Sequence, residues 1–218
     1  MLTGIDWNQV SVALGETLYM VSISTLFTAL LGIPLGVMLT VSDRGYFWEN
    51  MWVQRTLGTI VNIFRAVPFI VLVLFLFPVA EFLVGTTLGP TAATVPLIAG
   101  AAPFYARMVE TALREIDRGV IEAAQAMGAS RLNIIWKVLL PEAMPAIVSG
   151  LTVTCVSLIS FSAMAGIVGG GGLGDAAFRY GFQSFNDGML YICGLLLVVM
   201  VQIIQMVGDW LVRRLDKR

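Results

Sequence analysis

Few side chains in this sequence could carry chemistry, and most of them lie inside apolar stretches. There is no histidine, and Cys155 and Cys193 each lie within a hydrophobic run, where a buried free thiol is the usual state of cysteine. No metal site is therefore predicted. The glycine-dense run 166–175 is not followed by the Lys-Ser/Thr pair of a phosphate-binding loop, so we interpret it as a turn beside the membrane. The sequence predicts no catalytic residue and no cofactor on this chain.

Arg65, Arg107 and Glu110 are ionisable residues that lie within or at the edge of predicted membrane spans. A charge at mid-membrane costs on the order of 2.5–3.5 kcal/mol on insertion scales, so each should be paired or close to water. We interpret Arg65 as snorkelling or paired with a carboxylate, and a direct role in transport is the alternative. Arg107 and Glu110, at i and i+3, are expected to form an ion pair at a helix surface.

Hydroxyl-bearing residues recur through the fourth predicted span. They could line a polar path, but Ser and Thr also hold membrane helices together, and we favour the second interpretation. If a substrate path is present, the candidates on one approximate helix face are Ser157, Ser160 and Met164.

Composition indicates an integral membrane protein. The 218 residues are 58% hydrophobic and 12% charged, with a mean hydropathy of +0.87, which is too apolar for a soluble domain of this size. The net charge is -1 and the basic residues are scattered, so nothing indicates binding to nucleic acid.

We predict an all-α membrane protein with five transmembrane helices in one domain over residues 1–218. A span needs roughly 20 residues to cross the hydrocarbon core. The start of the chain lacks the basic segment and cleavage site of a signal peptide, so residues 1–15 are expected to form a retained interfacial helix. The spans are predicted at about 17–41, 57–79, 91–108, 146–168 and 189–212.

Residues 114–145 form the one long segment with a polar side. Asp117 can cap a first short helix that Gly128 ends, and Ser130 can cap a second helix that Pro141 stops. In the second helix, apolar residues at i, i+3, i+4 and i+7 predict one apolar stripe, made of Leu132, Ile135, Trp136 and Leu139.

The first short helix has an apolar face with little side-chain bulk, made of Val120, Ala124, Met127 and Gly128. Such a face allows another protein's backbone to come close, which favours a helix pressed into a partner's groove. On geometry alone, an amphipathic helix lying among lipid headgroups is an equal alternative.

The run Glu122-Ala123-Ala124, followed by Gly128 and by Leu140-Pro141, resembles the EAA loop of permease subunits in binding-protein-dependent ABC importers, although Val138 stands where isoleucine is usual. In that family the loop forms a coupling helix that docks into a groove on a separate ATPase subunit. The resemblance therefore implies that the ATPase-coupling residues are Glu122, Ala123, Ala124, Met127, Gly128 and Pro141.

Three further stretches, 65–69, 101–110 and 162–174, are similar to the permeases of bacterial methionine importers. This resemblance implies the type I ABC importer transmembrane fold, a homodimer, and a pathway at the dimer axis that opens alternately to either side. The implied partners are two ATPase subunits, which bind ATP and Mg, and a substrate-binding protein outside the inner membrane. The implied substrate is L- or D-methionine.

The basic residues predict the orientation in the membrane. With five spans, ten of the thirteen basic residues fall on one side, in the first loop, the 114–145 segment and the C-terminal tail. Positive charge collects on the cytoplasmic side. We therefore expect a bacterial inner-membrane protein with its N-terminus outside, its C-terminus in the cytoplasm and the coupling segment facing the cytoplasm.

Other functions stay open at this stage. The chain could be a permease for another amino acid or a small peptide. An ATP-independent channel or secondary carrier is a different class, but secondary carriers commonly contain internal repeats and we find no persuasive one. A purely structural or signalling membrane subunit is a further alternative.

Overall fold

The computed structural model describes residues 5–216, which form helices and no strand. Four helical runs are long and apolar enough to cross a membrane, and a bent helix pair makes a fifth if it is counted as one span. The predicted all-α membrane fold is thus confirmed. The helices are α1 (Trp7–Val41), α2 (Met51–Ala66), α3 (Phe69–Val84), α4 (Pro90–Arg114), α5 (Arg118–Ala126), α6 (Arg131–Ile134), α7 (Leu140–Ala165), α8 (Gly172–Ala176) and α9 (Asp187–Leu215).

Helix α1 begins ten residues before the predicted first span. Asp6 caps it by accepting hydrogen bonds from the N–H groups of Asn8 and Gln9 at 3.0 and 3.2 Å. Gly15 does not interrupt the helix, so residues 7–15 are continuous with the span and the prediction of a separate interfacial helix is wrong for them. The rest of that prediction, over residues 1–4, lies outside the described residues.

The predicted second span, 57–79, is not one helix. Helices α2 and α3 meet at Val67 and Pro68 with a bend of 110°. A residue before proline is pushed out of the helical region, and Val67 accordingly has φ -76° and ψ 126°. Helix α2 also starts earlier than predicted, because Asn50 caps it at the N–H groups of Trp52 and Val53.

Helices α1 and α4 pack closely through small residues. A Cβ added at Gly36 would lie 2.6 Å from the carbonyl oxygen of Ala106, and one at Gly32 would lie 2.6 Å from the Tyr105 ring. Only glycine permits this backbone approach. Helix α4 continues through Pro96 and Pro103, both of them buried.

The glycine-dense run turns the chain back between α7 and α8, and its position beside the membrane stays a prediction. Gly171 and Gly172 have φ of +77° and +80°, which side chains other than glycine rarely adopt. Helix α1 holds this turn in place. The Glu16 carboxylate accepts a hydrogen bond from the Gly172 N–H at 2.7 Å, and the Thr17 hydroxyl accepts one from the Leu173 N–H at 2.8 Å.

Candidate coupling surface and transport pathway

Helix α5 begins and ends where the sequence predicts. The Asp117 carboxylate accepts a hydrogen bond from the Gly119 N–H at 2.6 Å. At the other end Gly128 has φ +79°, and its N–H donates to the Gln125 carbonyl at 2.9 Å. A glycine in this left-handed conformation is the common way to close a helix. Both predicted ends of α5 are therefore confirmed.

The buried face of α5 differs from the predicted one. Ala124 is only 5% exposed and packs with Ile121 into a cluster that includes Ile116, Ile134 and Ile135. Sequence reasoning missed Ile121, whose large side chain decides which side of α5 turns inward. Ala124 therefore contributes to the core of the helix bundle, and it is not on the exposed face.

The remaining candidate coupling residues of α5 are exposed. Met127 is 82% exposed and Val120 is 44% exposed, while Glu122, Ala123 and Gly128 also face outward. We call these five residues the α5 outer face. It combines the large, flexible side chain of Met127 with the small residues Ala123 and Gly128, so another protein's backbone could approach it closely.

The second short helix does not stop at Pro141. Helix α6, a π-helical turn at Ile135–Leu139 and helix α7 form one continuous run. In the π turn the Leu140 N–H donates to the Ile135 carbonyl, and this wider turn lets the chain pass a proline that could not continue a regular helix. Pro141 is exposed in the first turn of α7.

The π turn also divides the predicted apolar stripe. Ile135 and Leu139 are buried, whereas Leu132 is 58% and Trp136 is 69% exposed. A regular 3.6-residue period would have placed all four on one face. The wider π turn changes the angle between successive side chains around the helix axis. The single-stripe prediction is therefore wrong for Leu132 and Trp136.

Helix α5 is thus attached to three parts of the bundle. It follows α4 after a turn of three residues, its buried face contacts the α6–α7 run, and the Arg118 guanidinium lies 5.8 Å from the centre of the Tyr46 ring in the α1–α2 loop. A displacement of α5 would therefore be passed to α4, α7 and the end of α1.

Charged residues near the end of α4 form a chain of contacts. Arg107 pairs with Glu110, as predicted, and its other terminal nitrogen donates to the Asn62 amide oxygen of α2 at 3.0 Å. Glu110 also pairs with Arg114 at 2.7 Å, and Arg114 pairs with Asp43 at 2.7 Å. Glu110 is 2% exposed, so this is a buried bridge and not the surface pair that was expected.

Arg65 does not join this network. Among residues 5–216 no carboxylate lies within 4.0 Å of its guanidinium. Of the two expected arrangements, pairing with a carboxylate is therefore wrong for the described part of the chain, and snorkelling stays a prediction. Instead the guanidinium carbon lies 6.0 Å from the centre of the Phe104 ring, and Arg65 lines a cavity of about 390 Å³ between α2, α3, α4 and α7.

The three pathway candidates do not share one site. Ser157 lines the cavity beside Arg65, whereas Ser160 and Met164 line an apolar groove of about 800 Å³ between α7 and α9. Four hydroxyls of α7 donate to carbonyls of their own helix and so donate no hydrogen bond to a neighbouring helix: Thr152, Thr154, Ser157 and Ser162.

A family model described as the binding-protein-dependent transport system inner membrane component matches residues 32–218. This range includes the α5 outer face, the charged network and both cavities. The chain belongs to this family. Its members are transport permeases, and the predicted membership of the ABC importer permeases is confirmed.

Two bacterial permeases show how similar its relatives are. The "Probable D-methionine transport system permease protein MetI" of Vibrio cholerae is 53% identical over 203 residues, covering 93% of this chain and 90% of that one. The "Methionine import system permease protein MetP" of Bacillus subtilis is 47% identical and covers 98% of this chain and 96% of that protein.

A solved structure confirms the predicted type I importer fold. The chain matches a permease chain in a crystal structure of the inward-facing MetNI methionine ABC transporter with a TM-score of 0.96 and 44% identity. The match covers 100% of both chains. The two permeases therefore share their whole helical arrangement.

Proposed function

We propose that this chain is the membrane-spanning permease subunit of an ATP-driven methionine importer. The observation that carries the proposal is the α5 outer face, which is exposed and contains small side chains. It lies on a helix that contacts α7 and the α1–α2 loop and directly follows α4. The similarity to methionine permeases over nearly the full chain supports the substrate, with L- and D-methionine both as candidates.

The chain's own role is mechanical. Two copies of an ABC ATPase, which hold ATP and Mg²⁺, would each receive one α5 outer face in a groove. When the ATPases close together, α5 moves with them, and its attachments pass the motion to the spans. The pathway would then open alternately to the outside and the cytoplasm, while hydrolysis stays on the partner.

A second copy of the chain completes the pathway in this proposal. The groove lined by Ser160 and Met164 is open along one side and almost wholly apolar, with Phe178 and Phe182 at its wall. A second permease facing this groove would close it into a central passage. An extracytoplasmic binding protein would deliver methionine at the end that carries the glycine turn.

The charge distribution supports an orientation with α5 in the cytoplasm. The α5 end of the bundle carries Arg44, Arg114, Arg118 and Arg131, whereas Arg179 lies near the glycine turn. Basic residues favour the cytoplasmic side. We therefore place the N-terminus outside and the C-terminus in the cytoplasm of the bacterial inner membrane.

The test is uptake of labelled L- and D-methionine into proteoliposomes that contain the permease, its ATPase and its binding protein. We expect uptake that requires ATP and all three proteins, and excess unlabelled methionine should compete. Uptake without the ATPase would contradict the proposal, because a channel or secondary carrier behaves in that way. Uptake of another amino acid in place of methionine would reassign the substrate.

A further inference from the structure

The cavity beside Arg65 has no part in the coupling scheme described above. Its volume of about 390 Å³ falls within the range of about 300–1,000 Å³ that is typical of small-ligand sites. Four helices meet at it, because the 110° bend between α2 and α3 turns Arg65 and Phe69 toward α4 and α7.

Arg65 is the one charged side chain among the residues that line this cavity in the described structure. The arginine side chain is a cation that can donate several hydrogen bonds and accept none. By contrast, Arg107 on the neighbouring helix has Glu110 as its carboxylate partner. The cavity therefore carries a net positive charge and is suited to an anionic group.

The position of Arg65 makes this charge unusual. Arg65 and Phe104, over whose ring the guanidinium lies, both fall within predicted spans, 57–79 and 91–108. Arg65 is exposed at the mouth of the cavity. An ionisable residue within a membrane span is expensive and commonly marks a substrate pathway.

The rest of the cavity suits an apolar side chain. Phe69 and Phe161 stack with ring centres 4.5 Å apart and an interplanar angle of 11°, and Phe69 is 9% exposed. Thioether sulfur makes favourable contacts with aromatic rings. Ser157 donates its hydroxyl hydrogen to the Val153 carbonyl at 3.0 Å, so its oxygen remains able to accept a hydrogen bond.

We propose that this cavity is a substrate subsite within the membrane. Arg65 binds the carboxylate of an amino acid, Phe69 and Phe161 contact its thioether side chain, and the Ser157 oxygen accepts a hydrogen bond from its ammonium group. The proposal rests on the proposed function, because it takes methionine as the substrate that passes through this permease.

The first test measures the charge of the cavity and does not depend on transport. Val67 also lines the cavity, and its extended backbone accepts a cysteine. The variant Val67→Cys is made with Cys155 and Cys193 both replaced by alanine, and the permease–ATPase complex is placed in lipid nanodiscs. Labelling rates are then compared for an anionic sulfonatoethyl and a cationic trimethylammonioethyl methanethiosulfonate.

We expect the ratio of anionic to cationic labelling rates to fall at least about tenfold when Arg65→Gln is added. A unit charge close to the cysteine, in a medium less polar than water, is sufficient for a change of that size. Arg65→Lys retains the charge and should retain the ratio. Arg55→Gln removes a cation from the same helix outside the cavity lining, and it should also leave the ratio unchanged. A ratio that Arg65→Gln does not alter would overturn the proposal.

The second test asks whether the substrate's carboxylate is recognised. L-Methionine should slow the labelling of Val67→Cys, whereas methioninol, which has an alcohol in place of the carboxylate, should not. Protection should be lost in Arg65→Gln and kept in Arg55→Gln. Equal protection by both compounds, or none by methionine in a complex that imports it, would refute the subsite.

Failure of the subsite and failure of the proposed function give different results. If the unmodified complex imports methionine but the labelling ratio ignores Arg65, the subsite is wrong and the function stands. If the unmodified complex does not import methionine, the proposed substrate is wrong, and the methionine subsite is wrong with it. A labelling ratio that still depends on Arg65 would then indicate an anionic substrate other than methionine.

Discussion

Two adjacent alanines of α5 should respond in opposite ways to the same substitution. Ala123 is exposed, whereas Ala124 is 5% exposed and packs against the bundle. The change to leucine adds the same volume at each position and preserves helix propensity. Any difference between Ala123→Leu and Ala124→Leu therefore reports the face of the helix on which the residue lies.

The expected magnitudes follow from burial. Overpacking a well-packed site costs about 1–3 kcal/mol, and 1 kcal/mol lowers the melting temperature by about 2–4 °C for a chain of this size. Ala124→Leu should therefore lower Tm by about 2–12 °C. Ala123→Leu should change the free energy of unfolding by less than about 0.5 kcal/mol, but it should weaken ATPase binding by about tenfold or more, equal to about 1.4 kcal/mol.

The assay combines two measurements on the detergent-solubilised permease. Thermal unfolding followed by tryptophan fluorescence gives Tm, and titration with the separately purified ATPase subunit gives the dissociation constant. The reasoning is refuted if Ala124→Leu keeps the Tm of the unmodified chain and loses ATPase binding while Ala123→Leu binds normally. That result would place Ala124 on the docking face.

Four further predictions concern the stability of the bundle and are checked by Tm in the same detergent. Glu110→Gln should lower the free energy of unfolding by about 2 kcal/mol, which is less than the 3–5 kcal/mol of a fully buried pair because the arginine partners of Glu110 are partly solvated. The matched change Glu81→Gln, at an exposed residue, should be close to neutral. Equal Tm values for the two variants would contradict a buried bridge. Gly36→Ala should cost about 1–3 kcal/mol because its Cβ would lie 2.6 Å from a carbonyl oxygen of α4. Gly15→Ala, which meets nothing within 4 Å, should gain about 0.5–1 kcal/mol, and a loss there would count against the continuous α1. Glu16→Ala leaves a backbone N–H of the glycine turn without its acceptor and should lower the free energy of unfolding by about 1–3 kcal/mol. Glu16→Gln keeps an acceptor oxygen and should lower it by less. Equal losses in the two variants would show that the hydrogen bond is not the cause.

Features that depend on near neighbours in the chain were predicted correctly. Asp117 and Ser130 cap their helices, and Gly128 closes α5. These features could be predicted because each contact joins residues no more than three positions apart. The membrane class also follows from composition, since apolar surface of this extent needs lipid or protein around it.

Two predictions at prolines failed in opposite ways. The second span was predicted to continue through Pro68, but the chain bends sharply there. The second short helix was predicted to stop at Pro141, but the chain passes this proline through a π turn. Whether a proline ends, bends or merely widens a helix depends on which neighbouring helices can satisfy and pack against the altered backbone.

The sequence alone determined that this chain is a helical membrane protein with a short capped helix in a polar segment, because those properties rest on composition and on hydrogen bonds within one helical turn. Only the tertiary structure decided that Ala124 faces inward, that Glu110 bridges two arginines and that Arg65 lines a cavity with no carboxylate partner among residues 5–216. Burial and charge pairing depend on residues that are distant in the chain. Arg65 and Ser157, for instance, are brought to one cavity only by the packing of their helices.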